Sequence, residues 1–372
     1  MIKNISEVLA AIVVFALAGL GIWYVGSRLA FIFETSSKWW NLSLAILMVI
    51  GFTALGVESY SWTNNGFMHT VVIVGSVLVG FSIYLVGATI IVDLVRIIIK
   101  MPKMVFGCLV GVLSIGLTIY TLIADFSVKV TNVDIPIADS GLSGTKIILL
   151  SDTHWGHFRG KEFTKKIVNM INEQQPDIVL FTGDAFESWY NFNEETLEPF
   201  NTIEAPIYFV DGNHDEYVDS RKVKELLKTS GIIVLENEIV EDHGLTIVGL
   251  DYMNADAKAA EGMHAAKGKD TIQDIVPILM KDCSDSTVIV MHHAPTGAEY
   301  IEKMGADIYV AGHTHGGQLW PMTWYNDLVF DYNRGLKKSG NMWVYVTNGL
   351  GTFGPPMRLG TQCELTVITL TN

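Results

Sequence analysis

Hydrophobic positions divide the chain into two parts near residue 126. Four apolar stretches fill the first part, at 8–33, 39–60, 67–92 and 104–123. Each is close to the ~20 residues that a helix needs to cross a bilayer core. Because almost no polar positions interrupt them, they lack the polar face of a helix at the surface of a soluble protein. We therefore predict a transmembrane region of four helices over residues 1–126.

Two other interpretations of these stretches are weaker. A buried helical core could explain one apolar stretch, but four in succession would leave a soluble protein without polar helix faces. The first stretch resembles a signal peptide in position, yet it is long, begins with the single basic residue Lys3 and lacks a small-residue cleavage pattern before Arg28. A retained multi-pass anchor fits the pattern better.

Basic residues predict the orientation of the four helices. The two loops that share one side carry Arg28, Lys38, Arg96, Lys100 and Lys103. The other side includes the N-terminus, the loop near 61–66 and everything after residue 126, and close to the membrane it has only Lys3 and Lys129. Since positive charge stays inside, the large C-terminal part is expected on the outer face of the cytoplasmic membrane.

From residue 127 onward the pattern changes to short β-branched runs that alternate with helical spacing. The runs lie at 146–151, 177–182, 207–212, 245–250, 287–292, 307–312, 342–347 and 363–370. Helical periodicity lies between several of them, as in 160–174 and 220–231. This alternation predicts an α/β (α+β) domain of layered sheets and helices over residues 127–372.

Charge and cysteine content narrow the partners of this second part. Residues 127–372 hold 34 of the 39 acidic side chains and 19 of the 25 basic ones, a net charge of −15. A nucleic-acid-binding surface needs positive charge, so we expect no nucleic acid partner. Cys283 and Cys363 show no metal-binding spacing, and the sequence leaves open whether they pair. It also leaves the oligomeric state open.

Polar residues stand where several predicted strands end. They are Asp152 and His154, Asp184, Asn213 and His214, His292 and His293, and His313 and His315. Ligands and catalytic groups collect at the carboxyl ends of strands in sheet folds, so these five segments are expected to meet. Oxygen and nitrogen donors without thiolates suit Mn, Fe or Zn.

The histidine pair in "AGHTHGGQ" is the most specific of these signals. In an extended or turning segment, a His-x-His pair places both imidazoles on one side, within reach of one metal or of two adjacent metals. A single such pair is weak evidence for a metal site. Five polar segments in order, each at a strand end, predict one.

The five blocks together resemble the calcineurin-like metallophosphoesterase family. They read "SDTHWG", "TGDAF", "DGNHDEY", "VMHHAP" and "AGHTHGGQ", and the resemblance covers residues 145–370. The later stretch "YVTNGLGTFGPPMRLG" is similar to the membrane-attached or exported branch of the family. The resemblance implies a layered αββα domain with a dinuclear metal centre.

Carried over by position, the resemblance implies a role for each block. Asp152, His154 and His315 would hold one ion, Asn213, His292 and His313 would hold the other, and Asp184 would bridge them. His214 would be the proton donor to the leaving oxygen, helped by Asp215 or Asp211. His292 is preferred over its neighbour His293 as the ligand, which leaves His293 as a packing residue or a substrate contact.

The implied reaction is hydrolysis of a phosphate ester or diester by direct attack of a hydroxide that bridges two divalent ions. With the four helices, the leading hypothesis is a membrane-anchored phosphoesterase acting on a phosphorylated lipid or lipid-linked head group. Two alternatives stay open. One is a phosphodiesterase or phosphatase for a soluble phosphoester, with the helices as anchor only. The other is a non-catalytic sensor or transporter with a phosphoesterase-like domain.

Some residues near the blocks are weaker candidates for substrate binding. His157, Arg159 and Arg358 could contact a substrate phosphate, as could His293. The aromatic segment 319–332, together with Trp155, Phe186, Trp189 and Tyr190, could form an apolar lip around the metals or pack in a core. The sequence leaves both interpretations open.

Overall fold

The computed structural model describes residues 2–60, 66–259, 270–283 and 286–372. Residues 61–65, which belong to the predicted loop near 61–66, lie outside the described residues. Contacts group the chain into two compact units. One holds the helices as far as Ile123 together with Gly354–Met357, and the other holds Ala124–Phe353 and Arg358–Asn372.

Four long apolar helices form the first unit, as the sequence predicts. They are α1 Ile2–Phe33, α2 Ser37–Tyr60, α3 Gly66–Ile98 and α4 Lys103–Phe126. Each contains a stretch long and apolar enough to cross a membrane. Both ends of α2 and α4 lie within three residues of the predicted ends. One end of α1 and one end of α3 also agree, and each of these two helices extends six residues further at its other end.

Small residues set the packing of α2 against α3. A methyl group placed on Gly75 would lie 2.2 Å from the Ala54 Cβ, and one placed on Gly51 would lie 2.6 Å from a Val79 methyl. Two helix backbones can approach this closely only where side chains are absent or small, a common basis for helix association in lipid.

Two six-stranded sheets make the framework of the second unit. The first has the order β1-β12-β2-β3-β4-β5 and the second β10-β11-β9-β8-β7-β6. The strands are β1 Lys129–Pro136, β2 Lys146–Leu150, β3 Ile178–Thr182, β4 Ile207–Val210, β5 Ile233–Val234, β6 Glu238–Asp242, β7 Leu245–Gly249, β8 Thr287–Met291, β9 Ile308–Ala311, β10 Gly335–Ser339, β11 Met342–Val346 and β12 Glu364–Thr371. Within the sheets, β2 to β5 run parallel, and so do β7, β8, β9 and β11.

Shorter helices connect the strands. They are α5 Lys161–Gln174, α6 Glu194–Leu197, α7 Asn213–Val218, α8 Ser220–Thr229, α9 Ile272–Leu279, α10 Ala298–Lys303 and α11 Met322–Val329. The two helices expected from periodicity at 160–174 and 220–231 are present as α5 and α8.

Alternation along the strands creates three apolar layers. In β2, Ile147 and Leu149 enter the cluster between the two sheets, whereas Ile148 and Leu150 enter the cluster between the first sheet and its helices. A third cluster lies between the second sheet and α9 and α10. Because successive strand residues point to opposite faces, one apolar run supplies two cores. The resulting order of layers is helix, sheet, sheet, helix, which confirms the predicted fold class.

Candidate metal centre

The five polar segments meet at one edge of the paired sheets. Asp152 and His154 follow β2, Asp184 follows β3, and Asn213 follows β4 in the first sheet. His293 follows β8, and His313 and His315 follow β9, in the second sheet. In both sheets these strands run parallel, so their carboxyl ends lie on the same side and bring the segments together.

The backbone at these strand ends adopts a conformation that L-residues seldom take. Five candidate ligand residues of the blocks have a positive φ, namely Asp152 at 54°, His154 at 47°, Asp184 at 52°, His313 at 71° and His315 at 49°. Each such residue costs about 1 kcal/mol or more relative to the usual right-handed region. Clustered strain of this kind persists where the surrounding structure holds the backbone for a functional geometry.

Glycine next to Asp184 is required by a close backbone approach. Gly183 has φ 81°, and a methyl group on it would lie 2.7 Å from the Gly212 nitrogen and 2.9 Å from the His293 Nδ1. The loops after β3, β4 and β8 can therefore converge only with glycine at this position.

Asp152, His154 and His315 form the first ligand group. One ligand atom from each lies within 4.8 Å of the others. His315 Nε2 lies 3.2 Å from Asp152 Oδ1 and 3.2 Å from His154 Nε2. Ligand atoms bound at about 2.0–2.2 Å to one ion are about 3–3.5 Å apart, so these spacings match a shared ion.

Asp184, His293 and His313 form the second ligand group, again within 4.8 Å of one another. His293 Nε2 lies 3.1 Å from Asp184 Oδ2 and 3.2 Å from His313 Nδ1. The same Asp184 oxygen lies 3.8 Å from His154 Nε2 of the first group. Asp184 is thus placed between the two groups, where a bridging carboxylate would stand.

His292, which the sequence predicts as a ligand, does not belong to either of these two groups among the described residues. His292 Nδ1 donates to the carbonyl of Ala294 at 2.7 Å, and its Nε2 accepts from the Met253 nitrogen at 3.2 Å. Both ring nitrogens therefore already have backbone partners. Burial lowers the pKa of His292 to about 4, so the ring stays neutral in this role.

His293 lies in the second candidate group instead. Its Nδ1 donates to the carbonyl of Thr182 at 2.7 Å, which fixes the tautomer and leaves Nε2 to face Asp184 and His313. The sequence could not decide between two adjacent histidines just beyond the end of β8, because the turn that follows sets which ring points inward.

Asn213 supplies a test of whether these residues fit a second ion. Its side chain is buried, and its Oδ1 has no hydrogen-bond partner among the described residues. A buried amide oxygen without a partner is costly in a folded protein. An ion coordinated by this oxygen would satisfy it, so the donor set fits the dinuclear site that the sequence predicts.

The histidines of the two groups differ in their pKa values and therefore in whether they carry a proton before an ion binds. Burial lowers the pKa of His315 to about 4 and that of His313 to about 3, so both rings are neutral, as metal ligands must be. For His293, burial acts in the same direction, but the Asp184 carboxylate outweighs it and raises the pKa to about 9. A proton at His293 therefore has to leave before its Nε2 can bind an ion.

His214 lies beside the first group and is held by a carboxylate that the sequence analysis did not select. Glu187 Oε2 accepts from His214 Nδ1 at 2.7 Å and from His154 Nδ1 at 2.6 Å. One carboxylate oxygen thus orients both a ligand histidine and the candidate proton donor. Glu187 carries no motif of its own, and its only sequence signal is that it is acidic and directly follows the block "TGDAF".

Glu187 also sets the charge of His214. Burial would lower the pKa of His214, but the Glu187 and Asp184 carboxylates outweigh it and raise the pKa to about 10. His214 also lies within 4.8 Å of His154 and Asp184, so proximity alone does not separate a ligand from a proton donor. Its Nδ1 is engaged by Glu187, and only Nε2 remains for either role.

Asp215 has a different position from the one expected beside His214. Its Oδ1 accepts from the nitrogens of Ala185 and Phe186, at 2.9 and 3.2 Å, and its Oδ2 accepts from the Gly212 nitrogen at 2.9 Å. The buried carboxylate therefore ties the loop after β3 to the start of α7. Burial and the nearby Asp184 raise the pKa of Asp215 to about 7. The alternative helper, Asp211, accepts from Ser220 Oγ at 2.6 Å and pairs with Lys224 at 3.1 Å.

Residues 145–317 match the family model for calcineurin-like phosphoesterases. This part of the chain is therefore similar to calcineurin-like phosphoesterases. A transmembrane protein with metallophosphoesterase domain from Danio rerio is 33% identical over 65% of this chain and 57% of its own length. The Bos taurus protein of the same name is 29% identical over 65% of this chain and 56% of its own length.

A bacterial relative shows similar agreement. An uncharacterized metallophosphoesterase of Helicobacter pylori is 31% identical over 60% of this chain and 59% of its own length. The chain therefore spans less than two thirds of the length of these relatives. The names of the Danio rerio and Bos taurus proteins combine a metallophosphoesterase domain with a transmembrane protein, the combination that the sequence predicts here.

Two arginines that the sequence predicts as phosphate contacts instead bind other residues within the second unit. Arg159 is buried and pairs through Nη2 with Asp125, while the same nitrogen donates to Thr352 Oγ1 at 3.2 Å. Arg358 is fully buried, and its Nη2 donates to the carbonyls of Asn348 and Gly351, each at 2.6 Å. Guanidinium groups used in this way connect loops inside the protein.

His157 and the aromatic residues near the first block also differ from the expected lip. The buried His157 ring stacks on Tyr190 with centroids 4.4 Å apart. Trp155 and Phe186 are fully buried in the core between the first sheet and its helices. Two partly exposed aromatic side chains lie beside the candidate centre instead. The Phe353 ring lies 5.2 Å from His315, and the Tyr217 ring lies 5.3 Å from His214.

Cysteine plays no part in the centre. Cys283 and Cys363 form no disulfide with each other, which answers the question of pairing that the sequence left open. Cys363 is buried and its thiol donates to the carbonyl of Asp125 at 3.0 Å.

Proposed function

We propose that this chain is a metal-dependent phosphoester hydrolase with a dinuclear centre. The observation that carries the proposal is the placement of Asp184 between two groups of ligands, Asp152, His154 and His315 on one side and His293 and His313 on the other. The buried Asn213 oxygen adds a donor to the second group. Oxygen and nitrogen donors of this kind favour Mn, Fe or Zn.

When bound, a pair of such ions lowers the pKa of a coordinated water and neutralises charge on phosphate oxygens. The protein supplies the proton for the leaving oxygen. His214 carries a raised pKa and is protonated near neutral pH, and because Nδ1 is held by Glu187, the transferable proton is on Nε2. We assign no protein nucleophile.

Glu187 acts as a positioning residue in this scheme. By accepting from His154 Nδ1, it directs His154 Nε2 toward the first group, and by accepting from His214 Nδ1, it fixes the second ring as well. The distance between a ligand and the proton donor is therefore set by one oxygen atom.

We further propose a phosphorylated lipid or lipid-linked head group as the substrate class. Support comes from the four membrane-length helices and from the short connection between them and the catalytic part, since residues 127–128 alone separate α4 from β1. We divide the chain functionally into a membrane region, 1–126, and a catalytic domain, 127–372. From the distribution of basic residues we place that domain on the outer face of the cytoplasmic membrane.

One experiment separates this function from its alternatives. Full-length protein in phosphatidylcholine nanodiscs is incubated with total membrane lipid, with and without chelator, and lipid species are followed by mass spectrometry. Asp184→Asn protein is the matched control. We expect a phosphorylated lipid to disappear only with wild-type protein and free metal.

The other outcomes contradict specific parts of the proposal. Cleavage of a soluble aryl phosphodiester without loss of any lipid species would assign a soluble substrate and leave the helices as an anchor. If neither substrate is cleaved under conditions in which two ions are bound, the hydrolase assignment fails. A reporter fused after Asn372 that reads as cytosolic would overturn the orientation.

A further inference from the structure

The segment that follows His313 and His315 in the sequence carries an exposed apolar surface. It consists of six large side chains that face solvent, with exposed fractions between 48% and 68%. They are Trp320 61%, Met322 48%, Trp324 65%, Tyr325 52%, Leu328 68% and Val329 54%. We call this set the α11 surface. Contiguous exposed apolar residues of this size mark an interaction site more often than scattered single ones do.

Helical geometry makes the set contiguous. In α11, Trp324 lies one turn before Leu328, and Tyr325 lies one turn before Val329, so two neighbouring ridges point outward. On the opposite side Thr323 is buried, and a methyl group on Gly317 would lie 2.5 Å from its Cα. The helix thus has one face packed against the domain and one face whose large apolar side chains are about half or more exposed.

The inner face of α11 is joined to the loop that carries the ligands. Asn326 Nδ2 donates to the carbonyl of Thr314 at 3.3 Å, and Thr314 lies between His313 and His315. The Phe330 ring, just after the helix, lies 6.4 Å from the His313 ring. A contact made by the outer face would therefore hold the metal centre at a fixed distance from the contacted surface.

Charge identifies the kind of surface that fits. Asp327 is the only ionisable carboxylate or base within 320–329, and it is paired with Arg334 at 3.1 Å. The domain as a whole is acidic, so attraction to anionic lipid is not available to it. Two tryptophans and a tyrosine beside aliphatic residues are typical of segments that lie at the level of lipid head groups.

We propose that the α11 surface docks into the head-group region of the bilayer that holds this protein. The short connection at 127–128 keeps the domain at that bilayer, so its lipid is the most concentrated apolar partner within reach. Docking itself does not depend on catalysis. Docking would also present the metal centre to head-group phosphates, and this consequence rests on the proposed function.

Site-specific fluorescence tests the docking without substrate. A Leu328→Cys variant is made in the full chain with Cys108→Ala and Cys283→Ala, leaving the buried Cys363, and carries an environment-sensitive label. The matched control is Ile278→Cys, since Ile278 in α9 is 72% exposed and lies outside the α11 surface. Both proteins are placed in nanodiscs of phosphatidylcholine with and without brominated acyl chains.

We expect brominated lipid to lower the fluorescence at position 328 by about twofold or more and to leave position 278 unchanged. Quenching should persist from about 0.1 M to about 1 M salt, where the Debye length falls from ~10 Å to ~3 Å, because the contact is apolar. Equal fluorescence with both lipids overturns the proposal, and so does quenching that salt abolishes. A label shift in lipid-free detergent that grows with protein concentration would assign the surface to a second copy of the chain and overturn it as well.

A charge substitution links the surface to turnover. Leu328→Glu should lower kcat/KM for lipid presented in the bilayer by about tenfold, since a carboxylate disfavours the head-group region, and Ile278→Glu should not. Hydrolysis of a soluble aryl phosphodiester should stay within about twofold for both variants, which also reports that the metal centre is intact. An equal loss with both substrates would show that Leu328 supports the fold and not docking. If wild-type protein cleaves neither substrate, the proposed function fails while the quenching result still decides the docking.

Discussion

The two ligand groups use similar donors but differ in what stands behind them. In the first group, the outer nitrogen of His154 donates to the Glu187 carboxylate, which also holds His214. In the second group, the outer nitrogen of His293 donates to a neutral backbone carbonyl, that of Thr182. A carboxylate behind a histidine makes the ligand more basic and ties it to further groups, so the two positions are not equivalent.

This difference suggests that the two groups have different roles in proton transfer and in ion binding. The first group is linked through Glu187 to His214, the proposed proton donor. The second group contains His293, which lies beside Asp184 and holds a proton in the metal-free protein. Substitutions that act on one group, on the other or on both should therefore have distinguishable effects on ion content and on turnover.

The largest effect is expected from the residue common to both groups. Asp184→Asn removes a carboxylate charge that lies 3.1 Å from His293 Nε2 and 3.8 Å from His154 Nε2. Loss of a direct ligand should exceed the tenfold to hundredfold that losing an outer partner costs, so we expect more than about a hundredfold lower kcat/KM. Ion content by mass spectrometry and turnover of an aryl phosphodiester measure this, and retained turnover with two bound ions would remove Asp184 from the bridging role.

Substitutions of the adjacent residues His292 and His293 should have clearly different effects on ion content. His293→Ala is expected to lose one of two ions and most activity, because it deletes a ligand of the second group only. His292→Ala should keep both ions and lose about 1–3 kcal/mol of stability, the usual cost of leaving buried polar partners unpaired. Thermal unfolding and ion content are measured together on both proteins. The reverse pattern would restore His292 as the ligand.

Glu187→Gln should have an intermediate effect on the first group. A glutamine can no longer accept from both rings as a charged group, so we expect about tenfold to a hundredfold lower kcat, with the second ion retained. The loss should be greatest for substrates with poor leaving groups, since His214 loses the charge that keeps it protonated. Glu195→Gln, at an exposed carboxylate that pairs with Lys161, is the control. A loss independent of the leaving group would argue that Glu187 only supports the fold.

The last prediction concerns the dependence of ion affinity on pH. The pKa of His293 is raised to about 9 in the metal-free protein, so an ion that binds there displaces a proton, and affinity should rise with pH by up to about tenfold per unit between pH 6 and 8. His315 in the first group has a pKa lowered to about 4 and contributes no such slope in that range. Titration calorimetry on His315→Ala should keep the slope, and on His293→Ala should lose it. A slope that survives in His293→Ala would place the displaced proton elsewhere.

Most strands of the two sheets were predictable, because burial of a strand leaves a recognisable pattern of apolar residues in the sequence. All eight β-branched runs are strands, and the four missed strands are the exposed or short ones at the sheet edges. For example, β10 reads GLKKS and β6 reads EIVED, patterns with little apolar alternation. Their pairing is fixed by tertiary neighbours, which local sequence does not encode.

The site was predictable to the level of segments but not of individual rings. Motif spacing brought Asp152, His154, Asp184, His313 and His315 to one place, yet it could not choose between His292 and His293 or find Glu187. Those details depend on which way a turn points a side chain. The arginines illustrate the same limit, since Arg159 and Arg358 lie near the blocks in sequence but brace loops from inside.

Anomalous diffraction from crystals of the full chain grown with manganese tests the central claim most directly. The account predicts two peaks about 3.5–4 Å apart, one bonded to Asp152, His154 and His315 and the other to His293 and His313, with Asp184 touching both. A single peak, or a pair that leaves Asp184 uncoordinated, would contradict it.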